Sequence, residues 1–146
     1  MTAVADGRLQ ISRRFEAPPQ RLFDLWTDPD QVATWLFTTP ESEGHTTALD
    51  VRVGGQWEIV DRRGGVDYRA IGEYLVVAPP HRLVFSFGMP QFEPGFSLVT
   101  VEIVPDGDGA VMTLIQEQLP AAYVDPSRDG WSVMFDLLAK RLLTAV

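Results

Sequence analysis

The sequence contains no cysteine, and this absence excludes several kinds of site at once. Disulfide frameworks, thiolate zinc sites, CxxC redox motifs and cysteine nucleophiles all require that residue. Only two histidines are present, His45 in a polar stretch and His81 beside two prolines. Two histidines are too few for a histidine-rich metal site, and we expect both to lie at the surface. We therefore predict that the protein uses no metal.

Sequence signatures of several catalytic and targeting classes are also missing. There is no G-x-S-x-G elbow, no phosphate-binding glycine loop and no H-E-x-x-H helix, and we expect no cofactor. No apolar run approaches the roughly 20 residues of a membrane span. The first ten residues, MTAVADGRLQ, lack the basic-then-apolar pattern of a secretion signal. We expect a cytoplasmic protein that does not enter a membrane.

Basic residues are also few: the sequence has 12 lysine and arginine residues against 20 aspartate and glutamate residues. The formal net charge is −8, the sequence pI is about 4.6, and the acidic residues are scattered along the chain. A polyanion would be repelled by such a surface, so nucleic acid is not an expected partner.

The overall composition is typical of one globular domain, which we expect to span residues 1–146. A chain of 146 residues with 45% hydrophobic and 22% charged residues can bury about two-thirds of its unfolded surface around a single core.

Turn residues divide the chain into short segments. A first strand over Arg8 to Phe15 ends before three residues rich in proline, and two short helices follow, over Pro19 to Thr27 and from Pro29 to about Leu36, with Asp28 as N-cap and Gln31 as its capping-box partner. A polar loop is predicted for Thr38 to Thr47. Alternation and glycine-containing or proline-containing breaks then predict six strands, over 49–53, 56–62, 66–77, 82–88, 97–104 and 110–118.

The last segment is an amphipathic helix. In Trp131 to Leu142, large apolar side chains recur at the spacing of one helical face, and Asp125 before Pro126 is the predicted N-cap. On the opposite face we expect Asp136 to pair with Lys140. Short connections favour antiparallel strands. The expected fold is therefore α+β: a seven-stranded curved antiparallel sheet with the long C-terminal helix over its concave face and the first strand beside the last.

Five motifs in this order resemble the homologues of the heat-shock protein 90 ATPase activator. They are Val53-Gly54-Gly55-Gln56-Trp57, Ala78-Pro79-Pro80-His81-Arg82-Leu83, Val99-Thr100-Val101, Gln116-Glu117-Gln118-Leu119 and Gly130-Trp131. That family belongs to the START-like (SRPBCC) group of helix-grip folds, which includes the birch-pollen allergen and polyketide cyclases. The resemblance implies a cavity between the final helix and the sheet. Members often carry histidine where Gln116 stands, so the best candidate for an acid or base is missing here.

Strand alternation and the helical face together predict the side chains that line such a cavity. The candidate ligand-binding residues are Trp57, Ile59, Arg69, Tyr74, Phe85, Phe87, Val101, Leu114, Gln116, Trp131, Met134, Phe135 and Leu138. These side chains either fill the space as a solid core or surround a ligand-sized cavity, and we take the cavity as the working hypothesis. Trp35 and Phe37 are either lids or ordinary core.

The strand over 66–77 leaves one ambiguity. Period-two alternation forbids both of its faces from pointing inward. Either Arg69 and Glu73 turn in as polar anchors, or they form a solvent-side ion pair while Tyr68 and Tyr74 face the core.

Three classes of function follow from these patterns. The first is a non-enzymatic binder of a small apolar or aromatic molecule, the second an enzyme of the polyketide cyclase or aromatase kind, and the third a module that contacts a chaperone. No catalytic residue is assigned. Exposed edges of an antiparallel sheet also permit a homodimer.

Overall fold

The computed structural model describes residues 7–92 and 95–143. The elements in chain order are β1 (Gly7–Phe15), α1 (Pro19–Thr27), α2 (Pro29–Val32), β2 (Gly44–Leu49), β3 (Gln56–Arg63), β4 (Val66–Ala78), β5 (Arg82–Phe87), β6 (Ser97–Asp106), β7 (Gly109–Leu119), a 3₁₀ turn (Ala121–Tyr123) and α3 (Val124–Leu143). None of the helices described is long and apolar enough to cross a membrane.

The seven strands form one antiparallel sheet in the order β1-β7-β6-β5-β4-β3-β2. Six strands are joined as a meander, and β1 closes the edge beside β7, with Ile11 opposite Leu114. The predicted fold class is confirmed, including the one nonlocal strand pair.

Three boundaries differ from the prediction near the start of the chain. Strand β2 is Gly44–Leu49 and not 49–53, so part of the predicted loop is a strand. Its residues alternate between exposed and half-buried, a weak period-two signal that Gly44 obscured. Helix α2 ends at Val32 rather than near Leu36. Asp28 does cap it, since its carboxylate accepts from the Asp30 amide at 3.0 Å.

Helix α3 begins at Val124, two residues before the predicted first helical residue Pro126, and is preceded by the 3₁₀ turn, so Asp125 lies in its first turn and is not the N-cap. Trp131, Phe135 and Leu138 face the sheet and are fully buried. On the outer side Asp136 pairs with Arg13 of β1 at 2.7 Å, and not with Lys140. This ion pair joins the helix to the sheet edge.

The core between α3 and the sheet contains all four tryptophans of the chain. Each indole N–H has an acceptor: Trp26 donates to the Met112 sulfur, Trp35 to the Leu25 carbonyl, Trp57 to the Ser86 carbonyl and Trp131 to the Gln116 side chain. A buried Tyr or Trp tip normally finds such a partner. The indole rings are therefore fixed in orientation as well as buried.

Candidate functional site

The predicted ligand-binding residues fall into three groups by position. Most of them are buried between α3 and the sheet: Trp57, Ile59, Tyr74, Phe85, Val101, Leu114, Gln116, Trp131, Phe135 and Leu138. Phe87 and Met134 are half-buried at the margin of the same core. Arg69 lies on the other side of the sheet.

In the part of the chain that the structure describes, these side chains pack closely against one another. What remains is a cavity of about 10 Å³, bordered by Trp26, Phe37, Trp57 and Phe85 among others, which is room for about one water molecule. Of the two alternatives for these side chains, a solid core or a ligand-sized cavity, the described residues therefore favour the solid core. The predicted ligand-binding residues all belong to the sheet and α3. Trp26 and Phe37 belong to the segments between β1 and β2, and their side chains occupy part of the space that the prediction left for a ligand.

Gln116 joins the sheet to α3 in the centre of this core. Its side chain is fully buried. The Gln116 Oε1 atom accepts from Trp131 Nε1 at 2.8 Å, and Nε2 donates to Ser97 Oγ at 2.8 Å. The prediction that Gln116 faces inward is correct, but both of its polar atoms are engaged within the protein. Ser97, at the start of β6, carries the chain of hydrogen bonds toward the surface.

Next to Ser97 the interface between helix and sheet opens into a groove of about 350 Å³, here called the mouth groove. It lies between the N-terminal turn of α3 and the ends of β5, β6 and β7. Its lining residues are Phe87, Gly88, Met89, Phe92, Ser97, Leu119, Tyr123, Pro126 and Ser127. None of these described side chains carries a charge at neutral pH, and most are apolar.

Of the mouth-groove residues, only Phe87 was among the predicted site residues. Met89 and Phe92 lie in a stretch that the sequence marks as a break between strands, and Tyr123 lies in the link before α3. Side chains in connecting segments follow no periodic pattern, so alternation could not place them. Large apolar residues inside a predicted turn were the one available signal.

Arg69 is positioned away from the core, and its assignment to the inner face is wrong. It stands opposite Val60 in the register of β3 and β4, and its guanidinium pairs with Glu58. The alternative in which tyrosines face inward holds for Tyr74, which is 3% exposed. The solvent-side ion pair of Arg69 is therefore formed with Glu58 and not with Glu73, the partner considered in the sequence analysis.

A second, wider groove of about 760 Å³ lies on this outer face. Glu58, Arg69, Ile71, Glu73 and Phe96 are among its lining residues. Its arginine is already paired, and an exposed pair of this kind contributes little. Among its described lining residues, the outer groove has no fully buried polar side chain comparable to Ser97 in the mouth groove.

The phenol of Tyr74 stays protonated at neutral pH. Burial raises the pKa of the Tyr74 phenol, and the negative charge of Asp50 raises that pKa further. The phenol is therefore a neutral side chain of the core.

Two polar residues, His45 and Asp61, hold the segment between α2 and β2. His45 Nε2 lies 3.0 Å from the Leu36 carbonyl, so His45 is half-buried and bonded rather than free at the surface. The buried Asp61 carboxylate accepts from Ser42 Oγ at 2.9 Å and from Thr38 Oγ1 at 3.3 Å. No group of three or more His, Asp or Glu side chains that could hold a metal ion occurs in residues 7–92 and 95–143.

Solved structures share this architecture over nearly the whole chain. Protein CV1439 from Chromobacterium violaceum is 26% identical, with a TM-score of 0.79 over 91% of this chain and 94% of that one. CalU16 from Micromonospora echinospora is 24% identical, with a TM-score of 0.69 over 91% and 74%. PFC0360w, an HSP90 activator from Plasmodium falciparum, is 23% identical, with a TM-score of 0.72 over 92% and 95%.

The likeness to the last two structures shows the fold alone. No curated protein matches the chain. A family model does match, over residues 16–142. The chain therefore belongs to the family described as Activator of Hsp90 ATPase homolog 1-like protein.

Proposed function

We propose that this protein binds a small, uncharged apolar or aromatic molecule in the mouth groove. The observation that carries the proposal is an apolar groove of about 350 Å³ that ends on a buried, hydrogen-bonded serine hydroxyl. Ligand sites are typically concave and mostly apolar, of about 300–1,000 Å³, with a few polar groups that fix orientation. The mouth groove fits that description at the lower end of the size range.

Burial of apolar surface alone would give weak binding here. Covering about 250 Å² of apolar ligand surface contributes roughly 6 kcal/mol at 25 cal/mol per Å². Loss of translational and rotational freedom takes back at least about 4 kcal/mol. A useful affinity therefore requires a polar contact in addition to apolar burial.

Ser97 can supply this contact. Ser97 is 7% exposed; its hydroxyl donates to the Phe87 carbonyl at 3.4 Å and accepts from Gln116 Nε2, but a hydroxyl oxygen has two lone pairs. The second lone pair is available to a ligand N–H or O–H group. Because Gln116 is itself held by Trp131, the hydroxyl is fixed in position before a ligand arrives, which reduces the entropic cost of binding.

Binding has more support than catalysis does. An acid or base must lie within hydrogen-bond reach of the reacting group. Arg69 and Glu73 line the outer groove, Tyr74 is buried and neutral, and Gln116 is fully engaged. The described side chains of the mouth groove include no carboxylate, histidine or arginine.

The test is a fluorescence titration with N-phenyl-1-naphthylamine, an uncharged probe that brightens in apolar sites. We expect saturable binding to the wild type. Ser127→Trp places a large ring in the mouth groove and should weaken binding at least about tenfold, the effect of losing roughly 1.4 kcal/mol. Ser132→Trp is the matched control, since Ser132 lies five residues further along α3 and is exposed.

Two outcomes would contradict the proposal. A wild-type protein that does not bind the probe, tested also against a panel of uncharged aromatic and aliphatic compounds, would show no ligand site of this class. Equal affinity in the Ser127→Trp and Ser132→Trp variants would place binding elsewhere on the molecule.

A further inference from the structure

Phe37 has a backbone conformation that is unfavourable for its residue type. Its φ angle is +51°, and among the described residues only one other non-glycine, Gln118, has a positive φ. The left-handed region brings Cβ close to the backbone and costs free energy for every residue except glycine. Such outliers persist only when the surroundings hold them, and they concentrate at functional sites.

The ring of Phe37 contacts three other rings, one of which is Trp131 of α3, at a centroid distance of 5.6 Å and an interplanar angle of 57°. It lies parallel to Phe87 at a centroid distance of 4.9 Å and an interplanar angle of 4°, and parallel to Trp57 at 5.8 Å and 6°. Trp57 and Phe87 are themselves parallel within 6°. These two parallel rings, one from β3 and one from β5, have centroids 6.2 Å apart and are here called the Trp57–Phe87 platform. Phe37 covers that platform.

Phe37 also lies at the junction of the two inner spaces. Its side chain borders the cavity of about 10 Å³ inside the core, and it stacks on Phe87, which lines the mouth groove. Moving this one ring would join the mouth groove to the core and uncover the platform. The enlarged space would still be lined by uncharged side chains of the described residues.

The hydrogen bonds of Phe37 and of its two neighbours in the chain are uneven in strength. Leu36 on one side is bonded through its carbonyl to His45, and Thr38 on the other side is bonded to the buried Asp61. Between these anchors the Phe37 amide donates only to the Met134 sulfur, at 3.1 Å, and a thioether is a weak acceptor. A local backbone rotation at Phe37 therefore breaks one weak hydrogen bond and the ring contacts of Phe37, and leaves both anchors in place.

From these four observations we propose that Phe37 is an internal plug, and that a planar, uncharged aromatic ligand displaces it and stacks on the Trp57–Phe87 platform. The inference rests on the proposed function and extends it, because it names flat aromatic molecules as the ligand class and places their ring beyond the mouth groove. Offset stacking favours a flat ring over a saturated one of the same size. The platform therefore selects for aromatic character, which an apolar groove alone does not.

The plug also sets the affinity of the free protein. When the binding-competent state is only a fraction of the population, the apparent dissociation constant rises by the inverse of that fraction. Removing the plug should therefore tighten binding without adding any contact to the ligand.

The experiment titrates N-phenyl-1-naphthylamine into the wild type and into Phe37→Ala, Phe37→Leu and Phe96→Ala. Phe37→Ala should bind the probe at least about tenfold more tightly than the wild type does, as expected if the open state is populated at 10% or less. Phe37→Leu, which keeps more of the core volume, should fall between the two and provides the answer if the alanine variant does not fold. Phe96→Ala is the matched control, since Phe96 is half-exposed in the outer groove, and it should bind like the wild type.

Competition then tests the platform. Naphthalene should displace the probe from Phe37→Ala, and decalin, its saturated analogue, should do so about fivefold more weakly, as the loss of one aromatic stacking contact implies. Equal competition by the two compounds would overturn the stacking part of the inference.

The results also separate this inference from the proposed function. If the wild type binds and Ser127→Trp weakens binding while Phe37→Ala matches the wild type, the mouth groove is a site and the plug is refuted. If only the Phe37 variants bind, the plug and platform are supported and the wild type is not the ligand binder that we proposed. If no variant binds, both proposals fail.

Discussion

Replacing Gln116 with leucine tests whether the buried polar bridge between α3 and the sheet stabilises the fold. Gln116 is 0% exposed, and its two hydrogen bonds, to Trp131 and Ser97, are both 2.8 Å long. Leucine occupies a similar volume but can neither accept from the Trp131 indole nor donate to Ser97. The substitution therefore removes the polar bridge while keeping most of the packing.

The expected cost follows from which groups lose their partners. Trp131 is 2% exposed, so its N–H would be left buried without an acceptor, at a cost of about 1–3 kcal/mol. Loss of the bond to Ser97 adds about 1 kcal/mol. We expect Gln116→Leu to lower the free energy of unfolding by about 2–4 kcal/mol, a large share of the 5–15 kcal/mol that is usual for a domain.

Urea unfolding followed by circular dichroism measures this change, and the m-value should stay constant if only stability is affected. The double variant Gln116→Leu with Trp131→Phe removes the donor as well as the acceptor. It should be at least about 1 kcal/mol more stable than the sum of the single changes predicts, because neither partner is left unpaired. A Gln116→Leu protein within about 0.5 kcal/mol of wild type, the range of ordinary surface substitutions, would refute the reasoning.

Three further predictions concern single positions of the sheet. The raised pKa of Tyr74 means that the folded state holds the phenol proton more tightly than the unfolded state does, so its contribution to stability is full below pH about 10 and is lost as the pH rises above that value. The Tyr74→Phe variant should therefore unfold at a higher pH than the wild type in an alkaline titration. Coincident unfolding curves of the two proteins would contradict this. Gly72→Ala would place a Cβ 1.8 Å from the Ser86 carbonyl oxygen and should lower the free energy of unfolding by at least about 1–3 kcal/mol, measured by thermal or urea unfolding. The control Gly44→Ala places a Cβ that meets nothing within 4 Å and should leave stability unchanged. Equal stability of the two variants would refute the close approach. Arg69→Ala removes an exposed ion pair and should change stability by less than about 1 kcal/mol and leave probe affinity unchanged; a loss of binding would return Arg69 to the site.

The sequence was most informative where a segment is regular and buried on one face. Period-two alternation placed Trp57 and Ile59 of β3 on the inner face, and the helical spacing placed Trp131 and Phe135 there as well. One strongly populated face fixes the register, because a slip by one residue would expose all of these side chains. The topology followed from the short connections between strands.

The same reasoning failed where the pattern was weak. Strand β2 buries no residue fully, so its alternation could not be told from a polar loop. In β4 both faces carry large side chains, and alternation alone could not choose between Tyr74 and Arg69. Burial decides the question: the phenol is uncharged and enters the core, while the guanidinium would lose its hydration there and instead pairs with Glu58 at the surface.

Whether a helix laid across a curved sheet encloses a cavity depends on residues that belong to neither. The sheet and α3 alone leave a space, and in this protein a ring from the turn after α2 enters it. No periodicity predicts Phe37, because its position depends on a single positive φ angle at a residue type that rarely adopts one. A glycine at position 37 would have indicated a turn with positive φ in the sequence. A phenylalanine gives no such indication, and the turn is seen only in the structure. Phe37 fills the space in the core, and in the proposed mechanism its displacement would open that space to a ligand. The free-energy cost of moving the turn that carries Phe37 would then determine how readily a ligand reaches the interior.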